Sequence, residues 1–431
     1  MHRHAIALGV VLSCSAGWSL AQEALPAPKP AQSANLAPAL KLADLVQISM
    51  ERNPALQQAA LEIEAAQGRA VQAGLYPNPI VSATGEEIGD PNGAGGFITA
   101  PLVSQEIITA GKLKLSRAVA MRGVDQAGLA RVRERFTLLT TVRQGYFEVL
   151  AAQQRVQILG NLGKLAVQSL DASRRLMEAK QIAELDLLQF QVERDRLSVN
   201  LEAARRELAA AWLRLAANLG DPGLAYTGLD GNLEAPFPQY DPDRIRTLML
   251  AEHPEVLSAR VGINRAELEL RRQKVQCVPN VTVAAGYMRD NVARADEWTF
   301  QVALPVPLFD RNQGNVQAAV AQLGQAGQEV SRVENALIAR LATAYGDYTA
   351  ARQRAERYRD GIRPVAQRSF QLSLEAFKGG QFDYLRVLQA QRTLAEADLE
   401  YNRALGDTWH AASAIAGLIL EGDAWPHCPT P

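Results

Sequence analysis

At 431 residues the chain is long enough for several cores, yet only 6% of it is aromatic, which favours long packed helices over a thick globular interior. Lys and Arg (45) balance Asp and Glu (46) to a net charge of -1, which excludes the basic surface a nucleic-acid partner requires. No nucleophile-and-base arrangement, glycine-rich phosphate loop or zinc motif stands in the sequence, so no catalytic residue is assigned and no cofactor is expected.

Residues 1–21 read as a signal peptide: His2-Arg3-His4 is the positive flank, Ala5 to Leu12 the apolar run, and Ser19-Leu20-Ala21 the small-x-small cleavage site. Lipidation at Cys14 is the alternative, but Leu12 beside Ser13 fits that motif poorly, and a cut after Ala21 is preferred. Residues 22–39 form a Pro-rich, extended lead-in. No later window carries the ~18 uninterrupted apolar residues of a membrane helix, so a membrane role would have to use strands.

Residues 40–221 form a first repeat. A helix over Leu40 to Ala73 is interrupted at Asn53-Pro54, where proline permits a restart. A β-hairpin follows at 79–108, and then Gly111 to Lys180 runs almost free of Gly and Pro; a continuous helix of ~70 residues would approach 100 Å at about 1.5 Å per residue. After a break at Lys180-Gln181, the return helix Glu184 to Leu219 spaces Leu185, Leu188, Val192 and Val199, then Leu208, Trp212, Leu215 and Leu219, as a coiled coil does. A Gly- and Pro-rich linker, 222–240, leads to the second repeat, 241–423.

The second repeat carries a helix over Asp241 to Gln276 with a restart at His253-Pro254, and a hairpin at 280–307. In that hairpin Val281, Val283, Ala285 and Tyr287, then Trp298, Phe300, Val302 and Leu304, alternate with smaller or polar residues across a turn at Arg289 to Glu297. Gly314 to Phe377 is the second long helix, Lys378-Gly379-Gly380 the second break, Phe382 to Leu420 the second return helix and 424–431 the tail. Pro77 and Pro279, and then Gly111 and Gly314, mark matching junctions between helix and strand. Tyr76-Pro77-Asn78-Pro79 echoes Val278-Pro279-Asn280-Val281, and Leu185 to Gln191 echoes Leu385 to Gln391, at an offset of about 200 residues, so the chain is an internal duplication of one large unit.

Strands of ~10 residues suit a tilted crossing of a bilayer, but four per chain cannot close a barrel, and open edges are not tolerated in lipid. Closure must come from several chains. The fold class is therefore mainly α with a small β part, a long α-helical coiled-coil barrel continuing a transmembrane β-barrel shared between protomers.

The Tyr76-Pro77-Asn78-Pro79 stretch, Pro307-Leu308-Phe309 to Asn312-Gln313-Gly314, and Gly380 to Gln391 resemble the TolC-type outer membrane factors, most of all their cobalt-zinc-cadmium resistance branch, over about Leu40 to Asp423. The resemblance implies a homotrimer with a 12-stranded barrel in the lipid of the outer membrane of a Gram-negative cell and a periplasmic helical tunnel. Its partners would be a periplasmic adaptor and a proton-driven inner-membrane pump. Its function would be passive export, of heavy-metal cations on the closest branch, or of drugs or type I secreted proteins as the alternative.

The same resemblance places a gate at the two helix reversals, with Leu185, Asp186, Asp383, Leu385, Arg386 and Gln389 as its residues. The duplication aligns Asp186 with Arg386 as a candidate closing ion pair; Asp383, Glu184 and Lys378 are alternative partners, and two solvated tip charges are the bland reading. Family members often carry acids at the positions matching Arg386 and Gln389, and this chain departs from that pattern. His253, His410 and His427 are far apart in sequence and outside any ligand spacing, so no metal ligand is assigned. Cys277 and Cys428 are not expected to bridge.

Overall fold

A computed structural model describes residues 39–87, 89, 96–180, 182–378 and 384–422. The signal peptide, Cys14, Asp383 and the tail from 423 onward lie outside the described residues.

The elements come twice in one order. In the first repeat α1 (Leu42–Arg52) and α2 (Pro54–Gln72) precede β1 (Ile80–Glu86) and β2 (Phe97–Ile107), and α3 (Lys112–Glu178) and α4 (Glu184–Leu219) follow. In the second, α5 (Pro242–Glu252) and α6 (Pro254–Val275) precede β3 (Val281–Asp290) and β4 (Ala295–Ala303), followed by α7 (Gln313–Arg357), α8 (Arg363–Lys378) and α9 (Tyr384–Leu418). The restarts have a local cause. Asn53 ends α1 and caps α2, its side chain accepting from the Ala55 N–H at 2.8 Å, with Pro54 at the first helical position where a missing N–H goes unnoticed. His253 does the same for α6, accepting from the Glu255 N–H at Nδ1, 3.3 Å away.

α3 is continuous for 67 residues, roughly 100 Å at about 1.5 Å per residue. Its counterpart is not. A π-helical turn over Tyr358–Ile362 divides α7 from α8, where an unbroken helix was expected from 314 to 377. Pro364 has no N–H to return to the carbonyl four residues back, and the Arg363 N–H instead reaches Tyr358 O, five residues away. α3 and α7 run as two rails: α6 lies between them near the sheet, and α9 packs against both further along.

The four strands make one antiparallel sheet in the order β1-β2-β3-β4, so the seam between β2 and β3 joins the two repeats. The register sorts the side chains. Val81 stands opposite Val103, Val103 opposite Ala285 and Ala285 opposite Phe300, while Tyr287 faces Trp298 and Val283 faces Val302. These share one apolar face, because side chains alternate with a period of two. Ser82, Ser104, Thr282, Ala284, Gly286, Thr299 and Gln301 fall on the other, which is mostly small and polar, although Ile80 and Leu102 share it. The second hairpin is tighter than the spacing predicts, with only residues 291–294 between its strands.

The segment 222–240, expected as a linker, is a strap packed around the middle of the helices. Leu229 and Leu233 are buried in the main core, and Leu229 forms a parallel bridge with Leu40. The Tyr146 hydroxyl donates to Asp230 O at 2.7 Å, and the Trp212 and Trp409 indoles donate to Leu224 O at 2.9 Å and Leu233 O at 2.8 Å. Aromatic donors thus satisfy the carbonyls of a chain too irregular to pair with itself. Burial, reinforced by the nearby Asp230 carboxylate, pushes the Tyr146 phenol up to about 12.

Candidate functional site

Two regions carry the features expected of a channel, the sheet at one end and the helix reversals at the other. At the sheet, the junctions between strand and helix are locked across the repeats. Lys112 is buried, and its ammonium donates to Asn280 Oδ1 at 2.7 Å and to Val278 O. The Thr109 hydroxyl donates to Pro279 O at 2.6 Å, and Asn280 Nδ2 donates to Glu106 at 2.7 Å. Pro77 O accepts from Gln105 Nε2 at 2.9 Å. Gly111, at the strand-to-helix junction, is left-handed, with φ of 68°, a conformation that glycine adopts without strain. Gly314 does not match it: that residue lies in the first turn of α7, and the left-handed position is taken by Asn312, with φ of 61°. Asparagine is among the few non-glycine residues that tolerate this region, and here its amide is tied to the preceding helix α6, donating to Gln273 O at 2.7 Å.

At the far end, Asp186 is the third residue of α4 and Arg386 the third of α9, so the two occupy equivalent places in the return helices. The Asp186 carboxylate accepts from the Ala183 N–H at 3.1 Å, which caps α4, and a negative charge there also suits the helix dipole. Leu185, Leu385, Arg386 and Gln389 are exposed, and Asp383 lies outside the described residues. The sequence pattern marks Leu185, Leu188, Val192 and Val199 as a coiled-coil stripe, yet all four are exposed in the single chain. α3 takes the opposite face instead, with Leu187 and Phe190 packed on Leu170 and Leu197 packed on Leu159 and Leu162.

One ion pair near the reversals escaped the sequence reading. Arg392 on α9 donates through Nε at 2.8 Å and Nη2 at 2.5 Å to Glu193 Oε2 on α4. The Glu193 side chain is only 9% exposed, whereas Arg392 is 42% exposed. The two residues stand 199 positions apart, close to the duplication offset, but an offset alone does not single out this pair.

Between α3 and α7, where α9 ends and α6 begins, a groove of about 900 Å³ is lined by Arg133, Thr137, Gln144, Asp347 and His410, among others. Two ion pairs lie along it: Arg340 meets Glu255 at 2.5 Å and Arg354 meets Asp407 at 3.4 Å. Burial lowers the pKa of His253 on the groove wall, and this outweighs the Glu255 carboxylate, which raises it. Among the described residues no group of three His, Cys, Asp or Glu side chains converges as a metal site. Likewise no described helix is long and apolar enough to cross a membrane. Cys277 is a free thiol whose Sγ donates to Lys274 O at 3.2 Å.

This architecture has known relatives. The sequence profile of the outer membrane efflux protein family matches residues 45–221 and 246–419, one segment in each repeat. The chain belongs to that family. Its members are passive channels, so the protein is a channel subunit and not an enzyme. It is 29% identical over 365 residues to the cobalt-zinc-cadmium resistance protein CzcC of Cupriavidus metallidurans, covering 84% of this chain and 86% of that one. It is 24% identical over 291 residues to the nickel-cobalt-cadmium resistance protein NccC of Alcaligenes xylosoxydans xylosoxydans, covering 67% and 66%. Among solved structures the fold is similar to that of CusC, with a TM-score of 0.76 at 16% identity over 89% of this chain and 93% of that one.

Proposed function

We propose that this efflux-family subunit is the outer-membrane exit duct of a tripartite resistance-nodulation-division system. In this reading three copies pool their four strands each into one 12-stranded barrel, the smallest multiple that leaves a lumen. A periplasmic adaptor meets the helical end, and a proton-driven inner-membrane pump delivers the cargo. The observation that carries the duct is the sheet: it has one apolar face, two open edges, and a ~100 Å helix leading away from it. A lone sheet of that kind is stable in lipid only when its edges are closed by neighbours.

Heavy-metal cations are the proposed cargo, and similarity to two metal-resistance proteins supports this. Asp186 and Arg386 are proposed to meet between neighbouring hairpins at the tip and hold it shut until adaptor and pump engage. The deciding experiment is a deletion strain challenged with zinc, cobalt, cadmium, copper and silver salts against dyes and detergents. Sensitivity to the metals is expected, with resistance restored by the gene. Sensitivity confined to organic compounds would replace the cargo while leaving the duct in place.

A further inference from the structure

The groove of about 900 Å³ between α3 and α7 is built by one chain, with the end of α9 and the start of α6 between the two rails. It stands apart from the exposed stripe of α4, the flank open to a neighbouring chain. Alanines line its floor: Ala344, Ala351 and Ala411 are buried there. Their methyl groups pack against a slender hydrocarbon and offer it no hydrogen bond. Charge is sorted along the groove. Toward the sheet, Arg133 and Arg340 stand against the one carboxylate of Glu255; toward the reversals, Asp347 and Asp407 stand against the one guanidinium of Arg354. His253, at the first end, has its pKa lowered by burial and adds no charge near neutral pH. Among the described residues neither Arg133 nor Asp347 forms an ion pair, and both are exposed. On α3 the groove runs from Arg133 to Gln144, eleven residues or about 16 Å along the axis.

The strap marks which side of the helical layer this is. Tyr146 and Gln153 on α3 hold the strap at Asp230 O and at Leu229. Thr137 and Gln144 line the groove, each nine residues before one of that pair, which is about two and a half turns and so the opposite face. We propose, building on the reading of the protein as a barrel-forming duct, that the groove lies on the lumen wall and binds a linear zwitterion, a slender organic chain with a carboxylate at one end and an ammonium at the other. In a wall one helix thick the strap takes the outer surface. Twelve helices about 10 Å apart leave a bore of only about 14 Å radius, and three straps inside it would fill much of that space. The carboxylate of the ligand meets Arg133, its ammonium meets Asp347, and its chain lies on the alanine floor. One molecule bound in each subunit narrows the duct at the level of the strap, whatever the cargo.

Isothermal titration of ω-aminododecanoic acid into the full-length protein in nonionic detergent reads the site directly, with detergent alone as the blank. Saturable binding is expected. Aminohexanoic acid carries the same two charges on a chain too short to reach both ends, and should bind less than a tenth as well. Arg133→Asp and Asp347→Arg should each weaken binding of the long zwitterion at least tenfold. The two substitutions together should restore it, because a zwitterion turned end for end meets the exchanged charges equally well, and a misfolded variant would not be rescued in this way. In planar bilayers the same compound should lower the single-channel conductance of the wild type and the double swap but not of the single variants. Equal binding by all variants, or no saturable binding up to about 1 mM, overturns the site while the conductance leaves the duct standing. Binding with no fall in conductance overturns the lumen placement. A protein that binds with this charge dependence yet never conducts overturns the duct reading and leaves the chemistry of the groove in place.

Discussion

His253 performs for the second repeat the capping that Asn53 performs for the first, but it adds a titratable group to a buried position. Its pKa is lowered by burial, with Arg340 and Arg133 also lowering it and Glu255 opposing them. As pH falls through the ordinary histidine value of about 6.5, the unfolded chain therefore takes the proton before the folded one does. The stability tied to the neutral ring is present above about 6.5 and is lost below it. His253→Asn keeps a cap and removes the titration, so its melting temperature should drop less than the wild type's between pH 7.5 and 5.5; an equal drop would refute the assignment. The pair of Glu193 and Arg392 yields an asymmetric prediction. Arg392→Ala leaves a carboxylate with 9% exposure uncompensated and should destabilise by about 3 kcal/mol. Glu193→Ala leaves a cation that already reaches water, at 42% exposure, and should cost about 1 kcal/mol. Chemical denaturation of the two variants compares them directly, and equal losses would mean that the carboxylate is solvated after all.

Among the elements, the strands were the most legible and the return helices the least. Alternation fixed both faces of β4 in advance, and the register then assembled the same two faces across the sheet. In the barrel the apolar set, Trp298, Phe300 and Val302, should face lipid, and Thr299, Gln301 and Ala303 the lumen. A membrane-impermeant thiol reagent should label Gln301→Cys and spare Phe300→Cys, and the reverse pattern would invert the assignment. In this part of α4 the apolar residues form stripes on two opposite faces. The sequence pattern picked out Leu185, Leu188 and Val192, but α3 covers Leu187 and Phe190. Spacing alone does not say which stripe a given neighbour occupies, because both satisfy a helical period. The exposed stripe of Leu185, Leu188 and Val192 is open to a neighbouring hairpin, and Asp186 stands at the same end of α4. Asp186→Arg or Arg386→Asp alone should raise single-channel conductance and antibiotic leakiness, and the double swap should restore closure. Equal leakiness in all three would dispose of the latch and leave apolar packing to hold the tip.

For the whole molecule, the decisive feature is a sheet with two open edges on a subunit whose longest helix runs 67 residues. Neither the apolar strand face nor the exposed stripe of α4 is covered within one chain, so the folded protomer is incomplete as a membrane protein. The mature protein should therefore run as a detergent-resistant trimer by light scattering and conduct in planar bilayers; a well-behaved, non-conducting monomer would defeat the duct reading.

The sequence by itself determined the duplication, the two hairpins, the proline restarts and the long helices. These are local matters, set by periodicity, by proline chemistry and by the scarcity of helix breakers. Only the tertiary structure decided that residues 222–240 form a strap and not a spacer, that α7 and α8 are parted by a π-helical turn, and that Asn312, not Gly314, takes the left-handed turn. It alone brought Glu193 to Arg392. Each of these depends on which carbonyl or charge a distant segment presents, and a pairing between residues far apart in the chain leaves no period in the sequence to read.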